Sequence, residues 1–294
     1  MKVIITIPAY NEEKTIGRVV AGIHGVMKRT RLKYEVLVVD DGSRDRTGEV
    51  AKAAGAVVVA HPHNLGLAEA FRTEMKTCLE RKADIIVHTD ADGQYLAVDI
   101  PKVIEPILKG EADLVLGSRF KGKIEYMPLV KRLGNKAFSQ VISRITGLRI
   151  SDGQTGFRAF TKEVAAAVPV ISTHTYTQET VIRAARQKFR IKEVPVYFAK
   201  RDGKSRLISN PLEYAVKAWI NIFRIYRDYE PLRFFGLFGA SFIFLGLILG
   251  LALIYLFLAT GKVGHLPSTV LSMLLITIGL QIVLFGFLAD MHRR

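Results

Sequence analysis

Through residue 120 the chain alternates between short runs of Val and Ile and longer stretches whose apolar residues recur with helical spacing. Val3–Ile7, Glu35–Val39, Ala56–Ala60, Asp84–Thr89 and Asp113–Leu116 are the runs, near-continuously apolar as strands covered on both faces must be. Between them Glu12–Arg29, Asp45–Ala54, Leu67–Lys82 and Ile100–Lys109 follow the helical period, with Gly55 and Gly110 placed as C-terminal stops. The alternation predicts an α/β fold, a doubly wound, mostly parallel sheet with helices on both faces. Ligands in such sheets sit beyond the carboxyl ends of the strands. Polar clusters lie at those ends: Pro8-Ala-Tyr-Asn-Glu12, Asp40-Asp-Gly-Ser43 and His88-Thr-Asp-Ala-Asp-Gly-Gln-Tyr95.

Beyond Lys121 the pattern becomes mixed. A helix is expected over Val130–Ile145, a polar turn over Ser151-Asp-Gly-Gln-Thr-Gly156 and a strand over Arg190–Phe198. Asn210-Pro211 then reads as a helix start, an N-cap followed by proline at the first helical position. The helix through Asp228 interleaves Trp219, Ile222, Phe223 and Tyr226 with Lys217, Arg224 and Arg227, the composition of a helix lying in a membrane interface. Phe234–Leu258 and Leu266–Ala289 contain no charged residue, and each exceeds the roughly 20 residues that span about 30 Å of hydrocarbon.

The expected organisation is a catalytic domain over 1–207, an amphipathic interfacial helix over 208–230 and a membrane hairpin over 231–294, with spans at about 234–258 and 266–289. Met1-Lys-Val-Ile-Ile runs directly into a strand, so no cleavable signal peptide is expected. The basic excess before the first span and after the second places the catalytic domain and both termini on the cytoplasmic side. Gly236, Gly239, Gly246 and Gly250 either permit close helix contact, including in a homo-oligomer, or face lipid.

Charge narrows the function classes. The net charge is +15, of which Arg119–Arg149 carries +7 and Arg183–Arg233 carries +8, leaving the rest neutral. Basic segments beside membrane spans suit anionic lipid headgroups, and without a nucleic-acid recognition motif the high charge does not imply nucleic-acid binding. The one cysteine, Cys78, excludes an intramolecular disulfide and reads as a small buried residue in a reducing compartment. The chain has neither a Gly-x-Gly-x-x-Gly dinucleotide fingerprint nor a P-loop. His61-Pro-His63 reads as a loop, not a metal site, because no cysteine or acid lies beside it.

Asp90, Asp92 and Gln94 alternate after a strand, so continued strand geometry would send all three side chains the same way. Oxygen-only ligands suit Mg²⁺ or Mn²⁺, and few protein ligands leave positions for phosphate oxygens and water.

Pro8–Glu12, Asp40–Asp45, Asn64-Leu-Gly66, Asp90–Gln94, Gly117-Ser-Arg119, Asp152–Arg158 and Arg201-Asp-Gly-Lys-Ser205, in this order, resemble the family-2 glycosyltransferases that charge a polyprenyl phosphate, such as dolichyl-phosphate mannose synthases. The resemblance runs from Met1 to about Leu207 and implies a GT-A-like fold. It further implies inverting, metal-dependent transfer of a hexose from a nucleotide sugar (GDP-mannose, UDP-glucose or UDP-N-acetylglucosamine) to dolichyl or polyprenyl phosphate. By similarity Pro8, Tyr10, Glu12, Asp40 and Asp41 line the donor pocket, and Asp90, Asp92 and Gln94 hold the metal. Arg201, Lys204 and Ser205 match a basic loop over the donor phosphates. Arg119 matches the arginine that meets the lipid phosphate; a second family arginine falls at Lys131, with Arg132 beside it, and a family serine is replaced by Asn135. Asp152 keeps the acid of a motif more often written Asp-Pro-x-Ser-Gly. Asp92, Arg119 and Asp152 are the expected catalytic group.

Two alternatives have sequence tests. A processive polysaccharide synthase would carry Gln-x-x-Arg-Trp, whereas the one tryptophan, Trp219, sits in Ala-Trp-Ile. A non-catalytic membrane adaptor would show degraded metal and phosphate residues, and these are intact.

Overall fold

Seven strands form one sheet: β1 (Lys2–Ala9), β2 (Lys33–Asp40), β3 (Val57–Ala60), β4 (Ile85–His88), β5 (Leu114–Ile124), β6 (Arg158–Thr161) and β7 (Ile191–Phe198). Their order is β3-β2-β1-β4-β6-β5-β7, and β6 alone runs antiparallel to its two neighbours. The computed structural model describes residues 1–170, 176–200, 211–262 and 266–291. Arg201, Lys204, Ser205 and the expected N-cap Asn210 lie outside the described residues.

Four helices connect the first strands: α1 (Ile16–Met27), α2 (Thr47–Ala53), α3 (Leu67–Glu80) and α4 (Ile100–Leu108). Val3, Ile5 and Ile7 point to one face of β1 and meet Ile16, Val20, Ile23 and Met27 of α1. Ile4 and Thr6, on the opposite face, are equally buried, which is why the strand reads as a continuous apolar run. Each large aliphatic side chain so buried contributes about 1.5–3 kcal/mol. Helix α1 begins four residues later than the periodicity suggests, because residues 12–15 form a turn.

The second half of this sheet departs further from the sequence pattern. Strand β5 runs eight residues beyond Leu116, and β6 wedges between β4 and β5. Only four residues long and starting with an arginine, β6 shows no period of its own. Helix α5 (Leu129–Thr146) stops at Gly147, whose φ of +73° suits a residue without a Cβ. Two further helices follow, α6 (Lys162–Ala167) and α7 (Thr177–Arg186). Helix α7 buries Thr177, Gln178, Glu179 and Thr180 together with Val181, Ile182 and Ala184, so its inward face mixes polar and apolar side chains.

The described chain divides into two units, Met1–Leu212 and Glu213–Arg294. The second contains most of α8 (Pro211–Tyr229), then α9 (Pro231–Thr260) and α10 (Leu266–Met291). The last two are long and apolar enough to cross a membrane, and most of their surface is exposed, unlike core helices of a soluble protein. Helix α8 exposes Val216, Ile220 and Phe223 with helical spacing.

A seam of small residues holds α9 against α10. A Cβ at Gly239 would lie 2.6 Å from the Gly279 carbonyl oxygen, and one at Gly246 would lie 3.0 Å from that of Ser272. Ser272 Oγ donates to the Gly246 carbonyl at 2.8 Å. Gly239 and Gly246, like Ser272, Gly279 and Gly286, are seven residues apart, the heptad spacing of a left-handed crossing. Gly250 also faces Ser272, whereas Gly236 has open space around it. Gly279→Val is therefore expected to force the helices apart, costing about 1–3 kcal/mol, while Gly236→Val is neutral. Thermal denaturation of the two variants in detergent would separate them; equal midpoints would contradict the seam.

Candidate active site

The carboxyl ends of β1, β2 and β4 lie side by side, with Ala9 opposite Asp40 and Thr6 opposite His88. Loops from the first two strands are clasped together. Asn11, at a left-handed φ of 54°, donates its N–H to Ser43 Oγ at 2.9 Å and accepts the Arg44 N–H on Oδ1 at 2.8 Å. Glu12 donates its N–H to Thr47 Oγ1 at 2.8 Å. Pro8, Tyr10, Glu12 and Asp40 thus share one edge. Asp40 Oδ1 accepts the Ser43 N–H at 3.0 Å.

Asp41 is engaged on both oxygens. Oδ1 meets His61 Nδ1 at 2.7 Å and accepts the Leu65 N–H at 2.9 Å, and Oδ2 accepts the Gly66 N–H at 2.9 Å. His61 Nε2 contacts Thr73 Oγ1 at 2.9 Å. His61 is thus a clamp between Asp41 and α3 that fastens the Asn64-Leu-Gly66 loop; no spacing in the sequence signals this, because its partners are 20 and 12 residues away.

Strand β4 ends at His88, and the chain turns at Ala91–Gly93, where Gly93 has a φ of +74°. Strand geometry therefore does not continue through Asp90, Asp92 and Gln94, contrary to the alternation argument. Asp92 Oδ1 accepts the Gln94 N–H at 3.0 Å. Gln94 donates its side-chain amide to the Ala199 carbonyl at 3.0 Å, tying the turn to the end of β7. Asp90 is half-buried, and Gly156 approaches so closely that a Cβ there would lie 2.9 Å from its carboxylate oxygens. Burial, and then the adjacent Asp92 charge, push the Asp90 carboxyl up to about 6, against the opposing pull of His88, Arg119 and Lys131.

Two acids whose charges oppose one another at a ligand-facing turn fit a divalent cation. Among the described residues no group of three or more His, Cys, Asp or Glu could hold one, so an ion at this turn would need further ligands from outside these side chains. The raised Asp90 has a pH consequence. Between about 3.9 and about 6 the folded, metal-free protein holds a proton that the unfolded chain releases. This contribution therefore stabilises the metal-free fold as pH falls through about 6, while any cation binding by the carboxylate would weaken. The rise in melting temperature on adding Mn²⁺ is expected at pH 7.5 and lost at pH 5; an equal rise at both would contradict it.

On the other side of Asp90 lies a buried polar layer. Arg119, on β5, donates Nε–H to Asp152 Oδ2 and Nη2–H to Oδ1, each at 2.7 Å, and its backbone N–H to Oδ2 at 3.0 Å. Asp152 is fully buried and Arg119 nearly so. The pairing of β5 with β7 shifts register between Ser118 and Lys123, and Gly122 approaches the Val196 carbonyl so closely that a Cβ would lie at 1.9 Å. Such an irregularity turns a strand residue out of its ladder, and Arg119 sits within it. Arg119 and Arg132 line one cleft of about 290 Å³, with Phe120, Gly122, Glu125 and Tyr126. Lys131 lies within electrostatic reach of Asp90. Asn135 is buried on the face of α5 toward the Asp152 turn, where Ser139 Oγ accepts the Gly153 N–H at 3.1 Å.

Arg158 and Tyr95 brace that turn. Fully buried, Arg158 donates to the Gly153, Thr155 and Thr177 carbonyls and to Thr180 Oγ1, stapling the turn to α7. Burial pulls its guanidinium down to about 10, so it stays charged at neutral pH. Tyr95 stacks on Phe157 at 5.3 Å and accepts the Gly156 N–H, joining the Asp90 turn to the Asp152 turn. Beneath Asp90, the buried His88 meets Tyr176 Oη at 2.6 Å through Nε2 and lies 2.9 Å from Glu74 Oε2 through Nδ1, a contact too oblique for a good hydrogen bond. Tyr176, in turn, stacks on Phe71.

A glycosyl transferase family 2 model matches residues 4–168, which include the clasped loops, the Asp90 turn and Arg119–Asp152. The chain belongs to glycosyl transferase family 2. Within this family it is 34% identical over 218 residues to a UDP-N-acetylglucosamine--dolichyl-phosphate N-acetylglucosaminyltransferase of Methanococcus voltae, covering 65% of this chain and 83% of that protein. It is 29% identical over 288 residues to a dolichol-phosphate mannosyltransferase of Pyrococcus furiosus, covering 93% and 78%. Its fold is similar to glucosyl-3-phosphoglycerate synthase of Mycobacterium tuberculosis, solved with Mn²⁺, uridine-diphosphate-glucose and phosphoglyceric acid. The TM-score is 0.59 at 20% identity, over 75% of this chain and 79% of that one. The family-2 fold here is therefore GT-A-like.

Proposed function

We propose that this family-2 glycosyltransferase moves a hexose from a nucleotide sugar to a polyprenyl phosphate, with inversion, at the cytoplasmic face of a membrane. The observation that carries the reading is one sheet edge bearing two opposed charge systems: the acids Asp90 and Asp92, and the cations Arg119, Lys131 and Arg132. A transfer between two phosphate-bearing substrates needs both. The mannosyl- and N-acetylglucosaminyltransferase relatives named for dolichyl phosphate support the acceptor class. So does α5, where Leu129, Val130 and Leu133 are exposed beside Lys131 and Arg132, apolar surface next to phosphate-binding charge.

In this reading Pro8, Tyr10, Glu12, Asp40 and Asp41 border the nucleotide, Asp41 through the loop it fastens. Asp90, Asp92 and Gln94 would hold Mg²⁺ or Mn²⁺, the Gln94 amide nitrogen at the same time tethering the turn to Ala199. The bound ion supplies positive charge for the departing diphosphate. Arg119 and Arg132 orient the acceptor phosphate, which is mostly dianionic at neutral pH and needs little help from a base. Its oxygen forms the new bond to the anomeric carbon as the bond to the diphosphate breaks, the electron pair leaving on the nucleoside diphosphate. The basic excess flanking the hairpin supports cytoplasmic termini.

The test incubates membranes containing the full chain with labelled GDP-mannose, UDP-glucose and UDP-N-acetylglucosamine and with polyprenyl phosphate. One labelled sugar is expected in the lipid fraction, released by mild acid. Label in a polymer would favour a polysaccharide synthase, and no transfer from any donor would reject the reading.

A further inference from the structure

Glu193, on β7, belongs to none of the motifs that carry the resemblance, yet it lies against the Asp152 turn with its side chain only 3% exposed. Its Oε1 accepts the backbone N–H groups of Ser151 and Asp152 at 2.9 Å each. Its Oε2 accepts Ser151 Oγ at 2.9 Å and the Lys121 ammonium at 3.0 Å. Ser151 Oγ also contacts Ser118 Oγ at 2.7 Å, immediately before Arg119. A continuous set of fixed groups thus runs from Glu193 through the 151–152 backbone to Asp152, and from both oxygens of Asp152 to Arg119.

The arrangement limits what each acid can do. Asp152 has both oxygens on the Arg119 guanidinium and is fully buried, the geometry of an orienting partner and not of a base facing substrate. A guanidinium has five N–H groups in a rigid fork; two meet Asp152, and the remainder can face the cleft shared with Arg132. The direction of that free edge follows Asp152, and the position of Asp152 follows the two backbone N–H groups anchored on Glu193. Lys121 balances the second acid, so two carboxylates meet two cations and Glu193 adds no net repulsion toward a phosphate.

We propose that Glu193 is a positioning residue for acceptor use, setting the angle at which Arg119 meets the acceptor phosphate. The proposal rests on the reading of Arg119 given above. Displacing an orienting group by about 1 Å lowers a transfer rate by on the order of 10²-fold.

Two variants separate position from charge. Glu193→Gln keeps the length and an oxygen that accepts both backbone N–H groups, but loses the charge. Glu193→Asp keeps the charge but retracts the carboxylate by one methylene. In full-length protein in lipid nanodiscs, Glu193→Gln is expected to keep kcat/KM for polyprenyl phosphate within about threefold of the parent. Glu193→Asp is expected to lose about tenfold or more, with Kd for the nucleoside diphosphate plus Mn²⁺ unchanged in both. A Glu193→Gln variant worse than Glu193→Asp would overturn the proposal, as would parallel losses in nucleotide binding. Arg119→Lys provides the reference. If it leaves acceptor kcat/KM intact, the phosphate reading of Arg119 is what fails; if it is impaired while Glu193→Asp is not, only the role of Glu193 fails.

Discussion

Asp92→Ala is expected to abolish sugar transfer while leaving the fold intact. Asp92 sits on a partly exposed turn, outside the apolar core, so its truncation opens no core cavity. Catalysis is another matter. In the proposed reading, a cation held by Asp90 and Asp92 would stabilise the departing diphosphate by several kcal/mol, and at 1.36 kcal/mol per tenfold its loss would lower the rate by about 10³-fold or more. A second effect follows from electrostatics. Removing the Asp92 charge takes away a contributor that raises Asp90, so the Asp90 carboxyl should titrate lower in the variant. Transfer assays across a Mn²⁺ series, paired with Mn²⁺ binding followed by electron paramagnetic resonance, provide the check. Retained activity with an unchanged Mn²⁺ dependence would sink the metal assignment.

Arg119→Ala is expected to damage stability and catalysis together, and a paired substitution should separate the two. Removing the guanidinium strands a fully buried Asp152 carboxylate, which costs about 3–5 kcal/mol. Replacing both partners by apolar residues, Arg119→Met with Asp152→Leu, removes the stranded charge and should recover much of that stability. The double variant should still fail to use polyprenyl phosphate, because the Arg119 guanidinium no longer faces the cleft and Arg132 alone does not replace it. Chemical denaturation gives the first quantity and acceptor kcat/KM the second. A double variant with recovered stability and recovered transfer would mean that the pair is structural only.

The buried layer shows why site residues differ in legibility. Asp90 and Asp92 announce themselves because they follow an apolar run at the end of a strand, where acids have no packing role. Glu193 and His61 are silent in the sequence. Glu193 sits in a strand segment, Glu193-Val-Pro-Val, that looks like an edge with an outward acid, and its inward placement depends on Ser151 and Asp152 about 40 residues earlier. His61 becomes buried only because Asp41 and Thr73 close around it. Helix α7 is only partly legible for a related reason, since buried Thr177 and Thr180, which carry hydrogen bonds, share its inward face with Val181, Ile182 and Ala184.

The sequence by itself determined the βα alternation, the order of the motifs, the apolar spans and the two basic windows, all of which depend on local period and composition. The tertiary structure decided the rest. It inserted β6 against the direction of its neighbours, turned the chain at Ala91–Gly93 where alternation predicts a strand, and directed Gly239, Gly246 and Gly250 of α9 toward α10. It also joined Asp152 to Arg119, placing the acid against the cation it orients. Each of these depends on a partner far along the chain, and contacts of that range leave no period to read.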